Sequence, residues 1–471
     1  MDDRLVQLRE PTRRTRSTSR SRRKIGSIRA EGRVIQGTQA AVPPRCYTKA
    51  TSSPIIRLPT ELLTEIFLYV RQECESGDEA SDYEILPSWT IVTQVCSRWR
   101  LVALSFKLLW TKLPVGGSRW TRVALASSNP LPLDIHFVLT GSAPAVLQVE
   151  GILKALEGTS RARDISLGDA WETEHESLLA AAFSVMSRHR ASLLETFDIF
   201  DNHSDGLTNL PDGIFRGDVP TNLHTLVLHS IGFGSSQPLL RSPLTTLHLH
   251  SCRTNMSIQK MFSILATIPT LEDLSLEDTD FTDPNGDPLE ERTCTELSFR
   301  PHSIALPDLR RLSFIDTVYM ITTFMLYLIL PSSAILELDC DCNSTTMGEA
   351  AAAMSVALQE HFSPAISAGL SFSDLVISCN NNPAENITFD LSVPFVRHGN
   401  GNMDPVPFPT RFSLSWALRQ GETANSLAFL AELLPGVRHI NCVRSTHEVL
   451  ADAGTRCELA RRVGFSSAAW L

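Results

Sequence analysis

The sequence predicts an α/β protein, a small helical module followed by an irregular solenoid of parallel strands backed by helices. Three observations carry this. A six-residue unit with Leu or a similar apolar residue at its first, fourth and sixth positions recurs through the chain. Helix-like apolar pieces lie between the units. Near the N-terminus one segment carries two apolar rows at helical spacing.

The helical segment comes first. Residues Leu58-Pro59-Thr60-Glu61-Leu62-Leu63-Thr64-Glu65-Ile66-Phe67-Leu68-Tyr69-Val70 read as a helix, with Pro59 suited to the first turn, where a missing N–H costs nothing. Leu62/Ile66 and Leu63/Phe67 form two rows at i, i+4, wide enough for one row to face the core and the other a partner. Residues 71–88, with Glu73, Glu75, Asp78, Glu79, Asp82 and Glu84, read as an acidic insertion. Helical spacing resumes at Trp89, Val92, Cys96 and Trp99, continues in Leu101, Leu104, Leu108 and Trp110, and stops at Pro114 and Gly116-Gly117.

The repeated unit follows. It reads Leu223…Leu226…Leu228, Leu244…Leu247…Leu249, Leu271…Leu274…Leu276 and Leu309…Leu312…Phe314. Weaker copies are Ala162…Ile165…Leu167, Leu194…Phe197…Ile199, Ile335…Leu338…Cys340 and Val437…Ile440…Cys442. Alternate residues of a strand share a face, so the last two apolar positions of each unit enter one core, and the first packs where the chain enters the strand. Through Leu338 the units are spaced 21 to 38 residues apart, which fits an irregular leucine-rich solenoid. Ile258–Ile268, Tyr319–Leu330 and Glu349–Phe362 read as helices, and Asn380–Pro409 as a long polar excursion. The expected organisation is a basic Arg/Ser-rich tail over 1–53, a helical module over 54–115, and a repeat region over 125–471.

Composition narrows the function. The net charge of -10 combines about +7 over residues 1–35 with about -17 over the rest. An acidic body argues against nucleic-acid binding, which needs clustered Lys/Arg. The tail reads as disordered, with Arg20-Ser21-Arg22-Arg23-Lys24 a candidate nuclear-import or phosphorylation-controlled element on an otherwise solvated stretch. No secretory signal is read at the start. The most apolar run, Val318–Leu330, is 13 residues long, short for a bilayer and better read as a buried helix, so no membrane association is expected. The ten cysteines form no CxxC pair and read as reduced, small apolar residues.

Leu58-Pro59-x-Glu61-Leu62-Leu63-x-x-Ile66-Phe67, then Val95-Cys96-x-x-Trp99-Arg100, then Leu109-Trp110, resembles the F-box. The wording of Val95–Ala103 is similar to the F-box-like proteins abundant in mushroom-forming fungi. The insertion at 71–88 is longer and more acidic than many family members carry. The resemblance implies a three-helix module that docks on the Skp-type adaptor of a cullin–RING ubiquitin ligase, with Leu58, Pro59, Leu62, Ile66, Phe67, Val95, Cys96 and Trp99 at the adaptor-binding positions. Docking of this kind needs apolar anchors at helical spacing. The same residues could instead only build the module's own core, a common place for tryptophan.

No catalytic pattern is present: there is no G-x-S-x-G, no phosphate-binding G-x-x-x-x-G-K-[ST], no G-x-G-x-x-G and no H-E-x-x-H. No metal site and no cofactor are expected. With Leu247 and Leu249 inward, His248 and His250 point to the open face of the sheet, beside Val227, His229, Ser275, Glu277 and Arg311. Such a polar row is where solenoids bind partners, although a merely solvated face would look the same. The expected function is substrate recognition in a ubiquitin ligase, in the cytoplasm, the nucleus or both, by a protein that is not itself an enzyme. The alternative is a cullin-independent interaction protein whose F-box no longer engages the adaptor.

Overall fold

The first helix forms where its two apolar rows predict it. In the computed structural model α1 spans Thr60–Ser76, and the carbonyl of Pro59 accepts the first helical bond from the Leu63 N–H at 3.2 Å. The model describes residues 57–76, 88–113, 117–139, 145–169, 178–201, 208–282, 304–331, 334–341, 356–358, 374–379, 386–392, 411–417 and 439–442. The expected tail over 1–53 lies outside these residues. Because α1 runs to Ser76, Glu73 and Glu75 are helical rather than part of a loop, and the remainder of the acidic stretch lies outside the described residues.

The helical spacing from Trp89 to Trp110 is in fact broken into three pieces, with a further helix after them. A 3-10 turn covers Ser88–Gln94, α2 covers Ser97–Ser105, a second 3-10 turn covers Lys107–Trp110, and α3 covers Gly117–Ser128. The first break is made by Cys96, which is extended and caps α2, its Sγ accepting from the Trp99 N–H at 3.4 Å. The breaks shift the helical phase. Trp99, Val102, Ala103, Leu109 and Trp110 are buried, whereas Leu101, Leu104 and Leu108 are exposed. Arg71 ties α1 to the second turn, donating to the carbonyls of Leu108 at 2.8 Å and Leu109 at 3.4 Å.

Beyond α3 the chain alternates short strands with helices or turns. In order these are β1 (Leu133–Leu139), α4 (Ala145–Leu156), β2 (Ala162–Asp169), α5 (Leu178–Met186), β3 (Thr196–Asp201), β4 (Thr208–Asn209), β5 (Thr225–His229), β6 (Ile231–Gly234), β7 (Thr246–His250), β8 (Arg253–Ser257), α6 (Ile258–Leu265), β9 (Asp273–Glu277) and β10 (Asp280–Thr282). Then come β11 (Ile304–Ala305), β12 (Arg311–Thr317), α7 (Val318–Tyr327), β13 (Leu328–Ile329), β14 (Ile335–Asp341), β15 (Asp374–Cys379), β16 (Asn386–Ser392), β17 (Arg411–Ala417) and β18 (His439–Cys442).

Eight strands, β1, β2, β3, β5, β7, β9, β12 and β14, lie side by side in chain order and parallel. Their inward side chains are the apolar pairs of the repeated unit: Leu226/Leu228, Leu247/Leu249, Leu274/Leu276 and Leu312/Phe314 are all buried. In β14 the buried pair is Leu336/Leu338, two positions earlier than the expected Leu338/Cys340, because Leu336 pairs with Leu312 and Leu338 with Phe314. The leading leucines Leu223, Leu244, Leu271 and Leu309 are buried as well, at the strand entrances. Each entrance is fixed by one carbonyl that accepts two successive amides of the next strand. Glu195 takes His224 and Thr225, His224 takes Thr245 and Thr246, Thr245 takes Glu272 and Asp273, and Glu272 takes Arg310 and Arg311.

The strand exits show a feature that the repeat pattern did not predict. Ser230, Ser251 and Asp278 adopt positive φ of 54°, 49° and 43°, a corner that sends the chain into a second, four-stranded parallel ladder in the order β10-β8-β6-β4. Left-handed backbone is costly for most residues with a Cβ, and short polar side chains tolerate it best. After the corner, Cys252 and Thr279 turn inward and donate to the carbonyls of Leu228 and Leu249, at 3.2 and 3.1 Å.

The C-terminal part of the large sheet departs from the expected uniform parallel order. β14 is followed in space by β17, β16, β15 and β18, and β16 runs antiparallel to both neighbours. The stretch Asn380–Pro409, read as a polar excursion, therefore contains a paired strand. Of the expected helix over 349–362, only residues 356–358 are described, as helix. The apolar run from Val318 forms α7, capped by Thr317, but leaves the helix at Leu328 to pair with β11.

The helical module and the sheet belong to one compact unit beginning at Leu58. The Thr111 carbonyl accepts from the Asp134 N–H at 2.9 Å, and the Asp134 carbonyl accepts from the Leu113 N–H at 3.2 Å, so the module's last residues pair with the edge strand β1. Trp110 stacks on Trp120 of α3 with centroids 6.2 Å apart, and Arg161 donates to the carbonyls of Leu131 and Leu125.

Candidate binding surfaces

Two surfaces collect the residues singled out in the sequence. The first is on the helical module. Of its two apolar rows, Leu63 and Phe67 are fully buried, while Leu62 is 51% exposed and Ile66 half-buried. Val95 is 53% exposed, Pro59 is exposed, and Leu58 and Cys96 are half-buried. Phe67 and Trp99 are corrections: they meet edge-on at 5.2 Å inside the module, so they build its core and cannot serve as open anchors. Cys96 acts on α2 as a cap. The indole Nε1 of Trp99 is buried with no hydrogen-bond partner.

Sequence reasoning missed Tyr69, Ile91, Leu101, Leu104 and Leu108, all exposed. With Leu62 and Val95 they make seven of the eleven exposed large apolar side chains among the described residues, so uncovered apolar surface is concentrated on this module. The spacing of Leu101, Leu104 and Leu108 was visible in the sequence. Their exposure was not, because it depends on where α2 starts.

The second surface is the outer face of the parallel sheet. Backbone register aligns its side chains in three rows. One row holds Asp134, Asp164, Thr196, Thr225, Thr246, Asp273 and Arg311. The next holds His136, Ser166, Asp198, Val227, His248, Ser275, Ser313 and Glu337, and the third Val138, Gly168, Phe200, His229, His250, Glu277, Ile315 and Asp339. The seven predicted residues thus share one face but fall in three rows. Most are half-buried; Ser275 is buried at 8% exposure, recessed between His248 and Ser313, and Arg311 is exposed.

Charge on this face is mostly negative and partly paired. Arg163 grips Asp134 with two bonds from Nη2, at 2.9 and 3.1 Å. His136 lies 3.6 Å from Asp164, whose carboxyl is pushed up chiefly by burial. His248 Nε2 approaches Asp273 Oδ1 at 3.2 Å but out of hydrogen-bond alignment. His250 Nδ1 lies 2.6 Å from Glu277 Oε2.

Asp316 sits at the end of β12, at the level of the corners. Burial pushes its carboxyl up to about 7, against the pull of the Thr317 N–H bond at 2.6 Å and with a further push from Asp278 and Asp280. Folded Asp316 keeps its proton to about pH 7, whereas the unfolded chain releases it near 3.8. Stability is therefore lost as pH rises between those values and is not penalised below them. Asp316→Asn keeps an oxygen for Thr317 and removes the buried charge. It should stabilise the protein by about 2 kcal/mol at pH 8 and by nothing measurable near pH 4. Urea unfolding at both pH values checks this, and equal effects at the two would contradict it.

Among the described residues, no helix is long and apolar enough to cross a membrane, and no group of three or more His, Cys, Asp or Glu side chains is arranged to hold a metal ion. The fold and its surfaces define a mixed α/β protein built on a large parallel sheet. Comparison with protein-family models, with curated proteins and with solved structures finds no match to this chain.

Proposed function

We propose that this protein is the substrate-recognition subunit of a cullin–RING ubiquitin ligase. In this reading residues 58–113 are an F-box that docks on a Skp-type adaptor, and the sheet is an irregular leucine-rich-repeat solenoid whose outer face takes a target protein. The observation that carries the reading is the concentration of exposed apolar side chains on the module, Leu62, Val95 and Leu101 among them. Unpaired apolar surface of this kind gains most when a partner covers it.

The mechanism is positioning and needs no cofactor and no catalytic group of the chain's own. The adaptor fixes the module to the ligase, and the sheet holds the target, which raises the effective concentration of a target lysine near the ubiquitin to be transferred. The backbone bonds between residues 111–113 and β1 and the Trp110–Trp120 stack support this, because a module fused to the sheet transmits a fixed geometry. The expected compartment is cytoplasm, nucleus or both.

The test is a pull-down with purified Skp-type adaptor. Leu62 and Val95 are exposed, so a Leu62→Asp/Val95→Asp double variant should fold, yet bury two unpaired carboxylates in the complex and lose at least about 3 kcal/mol of binding. Ile66→Asp is a poorer choice because Ile66 already packs against the core. A folded double variant that binds like wild type would overturn the assignment of this surface. A folded wild type that does not bind the adaptor would favour a cullin-independent interaction protein.

A further inference from the structure

At the centre of the outer face, Phe200, His229, His250 and Glu277 stand side by side on β3, β5, β7 and β9. Phe200 meets His229 edge-on with centroids 5.9 Å apart. The rings of His229 and His250 are stacked, 4.3 Å apart and 18° from parallel. His250 Nδ1 lies 2.6 Å from Glu277 Oε2. An ionised carboxylate only accepts, so Nδ1 of His250 carries the hydrogen and the neutral ring keeps its lone pair on Nε2.

The surrounding charges come from three strands. His248, on β7 itself, lies edge-on to His250 at 5.9 Å and faces Asp273 of β9. Asp198 of β3 accepts from Ser166 Oγ at 3.1 Å. Burial first, and His250 second, disfavour the charged form of His229, which the attraction of Asp198 and Glu277 opposes. A neutral imidazole can stack on a charged one, but two charged rings at this separation repel strongly.

We propose that the His229–His250 stack, anchored to Glu277, is a proton-controlled switch on the outer face: while stacked, the pair carries at most one positive charge, and a second positive charge drives the rings apart. This rests on the reading of that face as the target site and names a regulation of it. Splaying the rings would replace a flat, ring-covered patch between β5 and β7 with two separated cations. The shape and the charge presented to a target would change together.

The test needs no target. Histidine-ring NMR of the full chain is recorded against pH, with assignments from His229→Phe and His250→Phe. His229 should gain its charge in a second step at lower pH, and the ring-current shifts of the stack should vanish with that step. His250→Phe keeps a ring against His229 but removes the competing charge, so the His229 step should move to higher pH. Glu277→Gln, at a partly exposed position, removes the carboxylate that anchors His250 and provides an independent comparison of the stack's ring-current shifts.

A His229 step at the same pH in wild type and His250→Phe would overturn the switch. So would ring-current shifts that persist through both steps. Adaptor binding does not enter these readings, so the switch can fail while the receptor reading stands, and the receptor reading can fail while the titration behaves as expected.

Discussion

Replacing Trp110 with alanine should cost about 4 kcal/mol and loosen the helical module from the sheet. Trp110 is fully buried, meets Trp89 edge-on at 5.3 Å and stacks on Trp120 at 6.2 Å. Its Nε1–H donates to the Ala103 carbonyl at 2.7 Å. Without it, that carbonyl keeps only the longer 3.3 Å bond from the Phe106 N–H. A single side chain thus joins the turn at Ser88–Gln94, the end of α2 and the start of α3. Urea unfolding followed by tryptophan fluorescence should show a lower midpoint, and limited proteolysis should find new cleavage between residues 88 and 128. A midpoint within about 0.5 kcal/mol of wild type would show that the module does not depend on this side chain. Trp110→Phe, which retains a ring but not the donor, should lose less.

The second large effect is expected at Phe324. This ring is fully buried on α7 and touches three others, Phe262 of α6 at 4.8 Å, Phe314 of β12 at 4.8 Å and Phe281 of β10 at 5.9 Å. Alanine removes the shared member of the cluster and leaves a cavity bounded by four elements, for a loss of about 4 kcal/mol. Leucine fills much of the space and should cost roughly 1.5 kcal/mol. Amide hydrogen exchange distinguishes this from the Trp110 effect. In Phe324→Ala, protection should fall in β9, β10, β12 and α7 and persist in α1 to α3. Uniform loss across all of them would mean that the unit from Leu58 onward opens only as a whole.

The sheet was the legible part of this chain. Leu226/Leu228 and Leu247/Leu249 alternate with polar residues, and period-two alternation has few other physical meanings. The same alternation placed His248 and His250 on the outer face. What it could not give was the partner of each side chain across strands, because register depends on where each strand begins. His229 and His250 are 21 positions apart in sequence and face each other only because Thr225 pairs with Thr246. The corners were missed for a similar reason. A serine after a strand is an ordinary turn signal, and its left-handed backbone follows from the second ladder that β6 and β8 form beyond it.

In the helical module, periodicity misled where the chain breaks phase. Leu101, Leu104 and Leu108 continue an apolar pattern on paper, but the cap at Cys96 and the break at Phe106 rotate them outward. Phe67 and Trp99 matched adaptor positions by resemblance and lie in the core. Beyond residue 341 the signal was present but overlooked: Ile387, Phe389 and Leu391 of the antiparallel β16, and Phe412, Leu414 and Trp416 of β17, alternate with polar residues, yet β16 lay within a stretch read as merely polar.

The strands β5, β7 and β9 are each held at both ends by main-chain atoms, by a doubly accepting carbonyl at the entrance and a left-handed corner at the exit. None of these bonds involves the outward side chains of the middle row. The half-buried Val227 and His248 can therefore be rewritten as freely as letters on a ruled line, with the spacing of the script unchanged. A lineage carrying this scaffold could acquire a new specificity through a handful of substitutions, none of which the ladder beneath would register.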